Sequence, residues 1–248
     1  MDLPEFFTLI EHDSVTSTND VARELAAKGA AEGTMVTARK QSAGRGRRGK
    51  MWASPVGNLY MSCVMRPVCT PVEATQLGFV AAVALWDAIC DIDYPGIPLK
   101  LKWPNDVLLD GRKVSGILLE SATADGGRVD WVVIGIGVNT SHHPEDSAWP
   151  AGDLRQTRDQ PNPDDLLPFV ARHLVDYYHV WQRDGFAPIR HLWLEETYFA
   201  PGQRVTIGRG ETAVSGLFET LDETGALVLR LDNGNRAVVS YGEVSPSN

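Results

Sequence analysis

The chain has 248 residues, 43% of them hydrophobic and 22% charged, and 32 Asp and Glu against 23 Lys and Arg leave a net charge of -9. A chain of that size folds as one main domain with a small module and buries a core without disulfide or metal staples. The acidic balance excludes a general duplex nucleic-acid binder, which relies on a broad positive surface.

Ser17-Thr18-Asn19 precedes a helical pattern in which Val21, Ala22, Leu25 and Ala26 share one face and Gly29 stops it. Thr34–Lys40 reads as a strand, Gln41–Pro55 as a loop rich in Gly, Ser and Pro, and Asn58–Arg66 as a second strand with Cys63 packed in the core. Val72–Asp91 is the longest helical pattern, and its apolar part, Leu77–Trp86, is too short to span a bilayer. Pro98–Trp103 alternates, with Leu99, Leu101 and Trp103 on one face and Lys100 and Lys102 on the other. Val107–Leu109 and Val114–Glu120 form a hairpin across Asp110-Gly111, and Val129–Asn139 is an apolar strand. Thr140–Pro163 is expected to be a surface connection, followed by helices over Asp164–Asp184 and Pro188–Thr197. After a boundary near Ala200, Arg204–Ile207, Ala213–Glu219, Ala226–Leu231 and Ala237–Ser240 read as strands of a small β-barrel. Cys63, Cys69 and Cys90 form no CxxC pair, and Met1–Glu5 has no signal-peptide pattern, so a reducing cytoplasm is the expected setting.

Between Gly33 and Val72 there is no Asp or Glu, while Arg39, Lys40, Arg45, Arg47, Arg48, Lys50 and Arg66 fall in that window. Within it, Gly44-Arg45-Gly46-Arg47-Arg48-Gly49 interleaves guanidinium forks with residues that let backbone approach an anion closely. Such a run alone reads equally as a solvated loop, an RNA-contacting segment or an anion-binding lid. Its place between two strands, and Trp52 at its end, favour a lid that folds over a small charged ligand. Lys102-Trp103-Pro104-Asn105-Asp106 is either a strand ending in an Asx turn or a site in which Lys102 meets phosphate and Asp106 meets Mg²⁺. Lys113 is a surface lysine or an anion contact beside Ser115-Gly116. The six histidines sit in no nucleophile motif, and GxSxG, HExxH and Walker A patterns are missing, which excludes those hydrolase, zincin and P-loop classes.

Taken in order, these motifs resemble the biotin protein ligases. The resemblance rests on Ser17-Thr18-Asn19, Gln41 with Gly44–Gly49, Lys102–Asp106, Lys113 with Ser115-Gly116-Ile117, Gly135-Ile136-Gly137-Val138-Asn139 and the C-terminal β module. It implies an α+β fold: a mixed β-sheet flanked by helices, akin to class II aminoacyl-tRNA synthetases, over 1–200, and an SH3-like β-barrel over 201–248. It also implies an ATP-dependent ligase that makes biotinyl-5′-AMP, with Mg²⁺, and passes biotin to a lysine of a biotin carboxyl carrier domain of an acyl-CoA carboxylase. By the same resemblance, Ser17, Thr18, Asn19 and Gln41 hold the biotin ring. Gly44, Arg45, Gly46 and Arg47 form the loop over biotin and adenylate, and Trp52 shields the adenylate. Lys113 meets the carboxylate and α-phosphate, with Arg45, Arg47 and Lys113 as the catalytic cations. Gly116, Gly135, Gly137 and Asn139 line the pocket. Lys102 and Asn105 sit at the ATP end, with Asp106 on the metal. Ser17 lies so near Met1 that no DNA-binding repressor domain is expected ahead of it, and the expected protein is a monomer or weak homodimer, away from DNA and membranes. Rival readings are a lipoate or octanoate ligase and an RNA-binding protein using the Gly/Arg loop.

Overall fold

The computed structural model describes residues 2–92, 97–147, 149–157, 161–208, 210 and 213–247. Its first sheet has strands β1 (Thr8–His12), β2 (Thr34–Ala38), β3 (Leu59–Met65), β4 (Leu99–Lys102), β5 (Asp106–Leu109), β6 (Arg112–Thr123) and β7 (Val129–Val138). They lie side by side in the order β1-β2-β3-β7-β6-β5-β4. The β1–β2 pair is parallel and the other pairs are antiparallel, so the sheet is mixed as expected. β1 lies where the sequence offered no element: as a half-exposed edge strand it lacks clean alternation.

Helices cover both faces. On one side, α3 (Leu77–Ile92) and α4 (Pro163–Asp184) pack onto Leu59, Met61, Cys63, Met65, Val132, Ile134, Ile136 and Val138, and α5 (Phe186–Glu195) packs against both helices. On the other, α1 (Thr18–Ala27) buries Ala22 and Ala26 against Val36, Val64, Trp131 and Val133. The small residues of α1 let it sit close to the sheet, and it covers only part of that face. The rest stays open for a site.

The expected helix over Val72–Asp91 is two helices. Thr70 caps α2 (Pro71–Ala74) in a reciprocal box with Glu73, and the chain re-enters helix at Leu77. By length and composition the stretch Pro71–Ile92, which includes both helices, is long and apolar enough to cross a bilayer, and 67% of its most apolar window is buried within the protein. That burial marks it as a core element. The last helix begins and ends two residues earlier than expected, at Phe186 and Glu195. Thr140–Pro163 is not a surface connection throughout: Thr140, Asp153 and Leu154 are buried, and Ala151 bridges to Lys113 beside β6. Ala148 and residues 158–160 of that stretch lie outside the described residues.

The second sheet is antiparallel, with β8 (Arg204–Ile207), β9 (Val214–Leu221), β10 (Leu227–Arg230), β11 (Arg236–Val239) and β12 (Val244–Pro246) in the order β11-β10-β9-β8-β12. β12 is a fifth strand, only three residues long and too short to show a period. This sheet is docked onto the first unit by Trp103 Nε1, which donates to the Gly225 carbonyl at 3.1 Å, Gln76 Nε2 to Glu223 at 3.2 Å and Arg190 to Leu221 at 3.1 Å. Gly225 has φ +88°, and a Cβ there would lie 2.6 Å from the Phe79 ring. Only glycine meets both demands.

Gly225→Ala is therefore expected to cost about 1–3 kcal/mol through strain and overpacking. Urea unfolding reads this best against Gly29→Ala, where φ is +86° and nothing lies within 4 Å of an added Cβ. Equal losses in the two variants would show that the contact with Phe79 does not hold the second sheet in place.

Candidate active site

β7 is the middle strand of the first sheet, and its two faces differ. Ile134, Ile136 and Val138 fill the helical core, whereas Gly135 and Gly137 leave the opposite face bare. That bareness is used. A Cβ on Gly135 would sit 2.0 Å from Asn19 Oδ1, and one on Gly137 would sit 2.6 Å from Trp52 Nε1. On β6, a Cβ at Gly116 would meet Trp52 at 3.2 Å and Lys113 Nζ at 3.3 Å. The three glycines make a floor on which loop and helix side chains lie directly against backbone.

One end of this floor carries a network of neutral donors and acceptors. The buried residues Ser17, Thr18 and Asn19 open α1. Gln41 Oε1 accepts from the Thr18 N–H at 2.8 Å, and Gln41 Nε2 donates to Ser54 Oγ at 2.9 Å. Ser62 Oγ, rising from β3, lies 2.8 Å from Thr18 Oγ1 and 2.6 Å from Asn19 Oδ1. Asn19 Nδ2 then donates to Glu120 at 2.8 Å. Ser62 and Glu120 were missed in the sequence. A serine inside the apolar strand Leu59–Met65 was the available signal, since a buried hydroxyl needs partners, whereas nothing local marks Glu120.

The other end is cationic. Lys102 is 3% exposed, and its ammonium lies 3.4 Å from Asp106 Oδ2 and 4.5 Å from the centre of the Trp149 ring. Burial holds the Lys102 pKa below its usual value, against the pull of Asp106. Lys113 Nζ lies 2.5 Å from the other oxygen of Asp106 and 5.5 Å from the centre of the Trp52 ring. Asn105 donates to the Ile117 carbonyl and accepts from Arg47 at 3.1 Å. Burial, followed by the charge of Arg48, lowers the Arg47 pKa, opposed by Asp106 and Glu243. Two lysines thus share the carboxylate of Asp106, with Arg47 beside them on Asn105 and Glu243 acting on Arg47 and Lys102, and the excess positive charge suits an anion.

The Gly/Arg loop lies down over this floor. Gly44 is hemmed in, with Ser54 Oγ 2.4 Å from an added Cβ, and its carbonyl accepts from the Trp52 N–H at 2.9 Å. Gly46 N–H donates to the Lys50 carbonyl at 2.7 Å, closing a short turn. Arg45 Nη2 lies 2.7 Å from Asp20 and 3.2 Å from Glu120, so two protein carboxylates hold it. Lys50 pairs with Glu243 of the second sheet, and this hydrogen bond lowers the Glu243 pKa. Trp52 Nε1 is buried with no hydrogen-bond partner among the described residues.

Asn139 Nδ2 donates to the Gly152 carbonyl at 3.0 Å and ties the end of β7 to the 150–154 segment. Asp106, expected on Mg²⁺, faces two ammonium groups, and the described residues contain no group of three His, Cys, Asp or Glu side chains suited to a metal. This donor set does not fit a resident cation.

The Biotin/lipoate A/B protein ligase family matches residues 11–139, and the Biotin protein ligase C terminal domain matches residues 202–245. A biotin–[acetyl-CoA-carboxylase] ligase of Paracoccus denitrificans is 40% identical over 234 residues, covering 92% of this chain and 96% of the relative. The structure of a biotin protein ligase from Aquifex aeolicus in complex with biotin and ATP is similar at TM-score 0.81 and 27% identity, covering 97% of this chain and 99% of that one. A Leishmania major biotin protein ligase in complex with biotinyl-5-AMP is similar at TM-score 0.66 and 27% identity, covering 94% and 99%.

The segment that borders Lys113 depends on Asp153, whose side chain is 3% exposed and accepts from Arg155 Nη2 at 2.7 Å, with His143 Nδ1 at the same distance. Burial works against its charge, but the bonds from Arg155 and His143 outweigh it and keep the carboxyl below its ordinary 3.8. A depressed carboxyl contributes stability that is present above its unfolded-state value and lost as pH falls through the folded-state one. Asp153→Asn is thus expected to unfold about 1–3 kcal/mol more easily at pH 7. The gap to wild type should close as the pH is taken below about 3.8. A gap that persists in acid would show that charge at Asp153 is not what anchors the segment.

Proposed function

The chain belongs to the biotin protein ligases of the Biotin/lipoate A/B protein ligase family, and from that premise we propose that it activates biotin with ATP and transfers it to a carrier lysine. The carboxylate of biotin attacks the α-phosphorus of ATP, giving biotinyl-5′-AMP and pyrophosphate. The amine of a lysine on a biotin carboxyl carrier domain then attacks the acyl carbon, forming an amide and releasing AMP. The observation that carries this reading is the glycine-floored surface with the hydrogen-bonded Thr18, Asn19, Gln41 and Ser62 at one end and Lys102, Lys113 and Arg47 gathered about Asp106 and Asn105 at the other.

A carboxylate makes a poor acyl donor in water, and two anions must meet to activate it. Preorganised cations lower that barrier without reorganising during the step. In this reading Thr18, Asn19 and Gln41, with Ser17 beside them, recognise the ring. Gly116, Gly135 and Gly137 let the acyl chain lie against the sheet. Lys113 and Arg47 meet the carboxylate and α-phosphate, with Lys102 and Asn105 toward the remaining phosphates. Trp52 carries a buried indole N–H available to a ligand acceptor, and the loop keeps water from the mixed anhydride until the amine arrives. Any Mg²⁺ comes with the nucleotide's phosphates, and no step here passes through it.

The catalytic unit is taken as residues 1–200 and the second as 201–248, a small SH3-like barrel whose Glu243 reaches the loop through Lys50. The protein is placed in the cytoplasm, away from DNA and membranes, as a monomer or weak homodimer. The reduced cysteines Cys63, Cys69 and Cys90 support the compartment.

Purified protein is expected to catalyse ATP–pyrophosphate exchange that depends on biotin and that lipoate does not support. Exchange with lipoate alone would move the assignment to the lipoate ligases of the same family. Arg47→Ala is expected to form adenylate but to release it roughly 10- to 100-fold faster, from the loss of one charged contact. Retention equal to wild type, followed with radiolabelled adenylate, would remove Arg47 from the lid.

A further inference from the structure

Three segments meet at Glu120: β6, which carries it, the N-terminus of α1 with Asn19 and Asp20, and the Gly/Arg loop with Arg45. One oxygen of Glu120, Oε2, accepts both from Asn19 Nδ2 at 2.8 Å and from Arg45 Nη2 at 3.2 Å. Asp20 grips the same guanidinium nitrogen at 2.7 Å, and Arg23 balances the pair of carboxylates at 3.0 Å from Asp20 and 3.7 Å from Glu120. The other end of the Asn19 amide is fixed by Ser62 at 2.6 Å, in space that only a glycine at 135 leaves. Arg45 therefore has its negative partners supplied by the protein, whereas Arg47, two residues on, reaches Asn105 at the cationic end.

We propose that Glu120, assisted by Asp20, is a positioning residue that clasps the loop through Arg45 and, through the shared bond to Asn19, couples loop closure to the seating of the acid. The coupling rests on the biotin reading above; the clasp does not. Asn19 is an amide that a ureido-type ring can address, and a shift of that amide moves the oxygen on which Arg45 sits.

Glu120→Gln separates the two bonds, because it keeps an acceptor for Asn19 and removes the charge that holds Arg45. Its KM for biotin is expected to stay within about twofold of wild type, while adenylate is lost about 5- to 10-fold faster, as fits a partly exposed ion pair. Glu120→Ala should show the same loss and also a raised KM for biotin, a split that general loosening of the fold would not produce. Glu120→Gln and Arg45→Gln should be non-additive in adenylate lifetime. Additive effects, or wild-type retention in Glu120→Gln, would overturn the clasp.

Limited trypsin digestion at the loop's basic residues reads the clasp without any chemistry. Faster cleavage of unliganded Glu120→Gln than of wild type, at unchanged melting temperature, supports it whatever acid the enzyme takes. If biotin fails to protect the wild-type loop while that difference stands, the coupling fails and the clasp survives, and biotin-dependent ATP–pyrophosphate exchange decides the ligand assignment separately.

Discussion

Everything in the site depends on one end of the middle strand of the first sheet, which beyond Trp131 and Val133 carries only glycines on the face turned to α1 and the loop. β7 presents Ile134, Ile136 and Val138 to the three-helix core and Gly135 and Gly137 to the opposite side. A central strand normally needs packing on both faces, and glycine within it is unfavourable in isolation. Here the neighbours supply what β7 lacks. It is hydrogen-bonded to β3 and β6 along nearly its whole length, and Asn19 and Trp52 occupy the space above the glycines. The strand is held by its ladders and its core face, which frees the other face for the close approach of Asn19 and Trp52.

Electrostatics build on that platform. The chain is acidic overall, yet three cationic groups gather around Asp106 and Asn105 at one end of the glycine floor. Burying ammonium groups is costly unless they are paired, and one carboxylate between two lysines is incomplete compensation. The depressed pKa of Lys102 registers that cost. Trp149 offsets part of it by placing its ring against the ammonium, and the edges of Tyr198 and Phe199 pack around Trp149 in turn. A bound polyanion would complete the neutralisation, so the structure is poised for its ligand by the charge it leaves uncompensated.

The second sheet takes part in this arrangement. It is tied to the first unit at Trp103, beside the cationic end, and to the loop through Lys50 and Glu243. The three loop contacts fall on three different bodies: Arg45 on α1 and β6, Arg47 on the β4–β5 turn, Lys50 on the second sheet. Closure of a glycine-rich loop is costly in conformational entropy, and charged anchors spaced along it spread that cost over separate contacts.

The existence of strands β2 to β11, the Gly/Arg loop between two of them and the family resemblance were all legible in the sequence. Alternation, glycine punctuation and the absence of acidic residues from 33 to 72 are local signals, and local physics writes them into neighbouring positions. The motifs also named most of the residues that the fold brings together over the glycine floor. Three things were illegible because they are long-range. Glu120 looked like the end of a hairpin strand until the fold set it beside Asn19, 101 residues away. The pairing of both oxygens of Asp106 with Lys102 and Lys113, and the bond from Asn139 to the Gly152 carbonyl, likewise join segments that the sequence keeps apart. A sequence determines which groups are present and which of them share a strand face or a helix turn. Which acceptor a given donor meets is decided only when distant segments are packed together, because hydrogen bonds and ion pairs act over a few ångströms of space and take no account of separation along the chain.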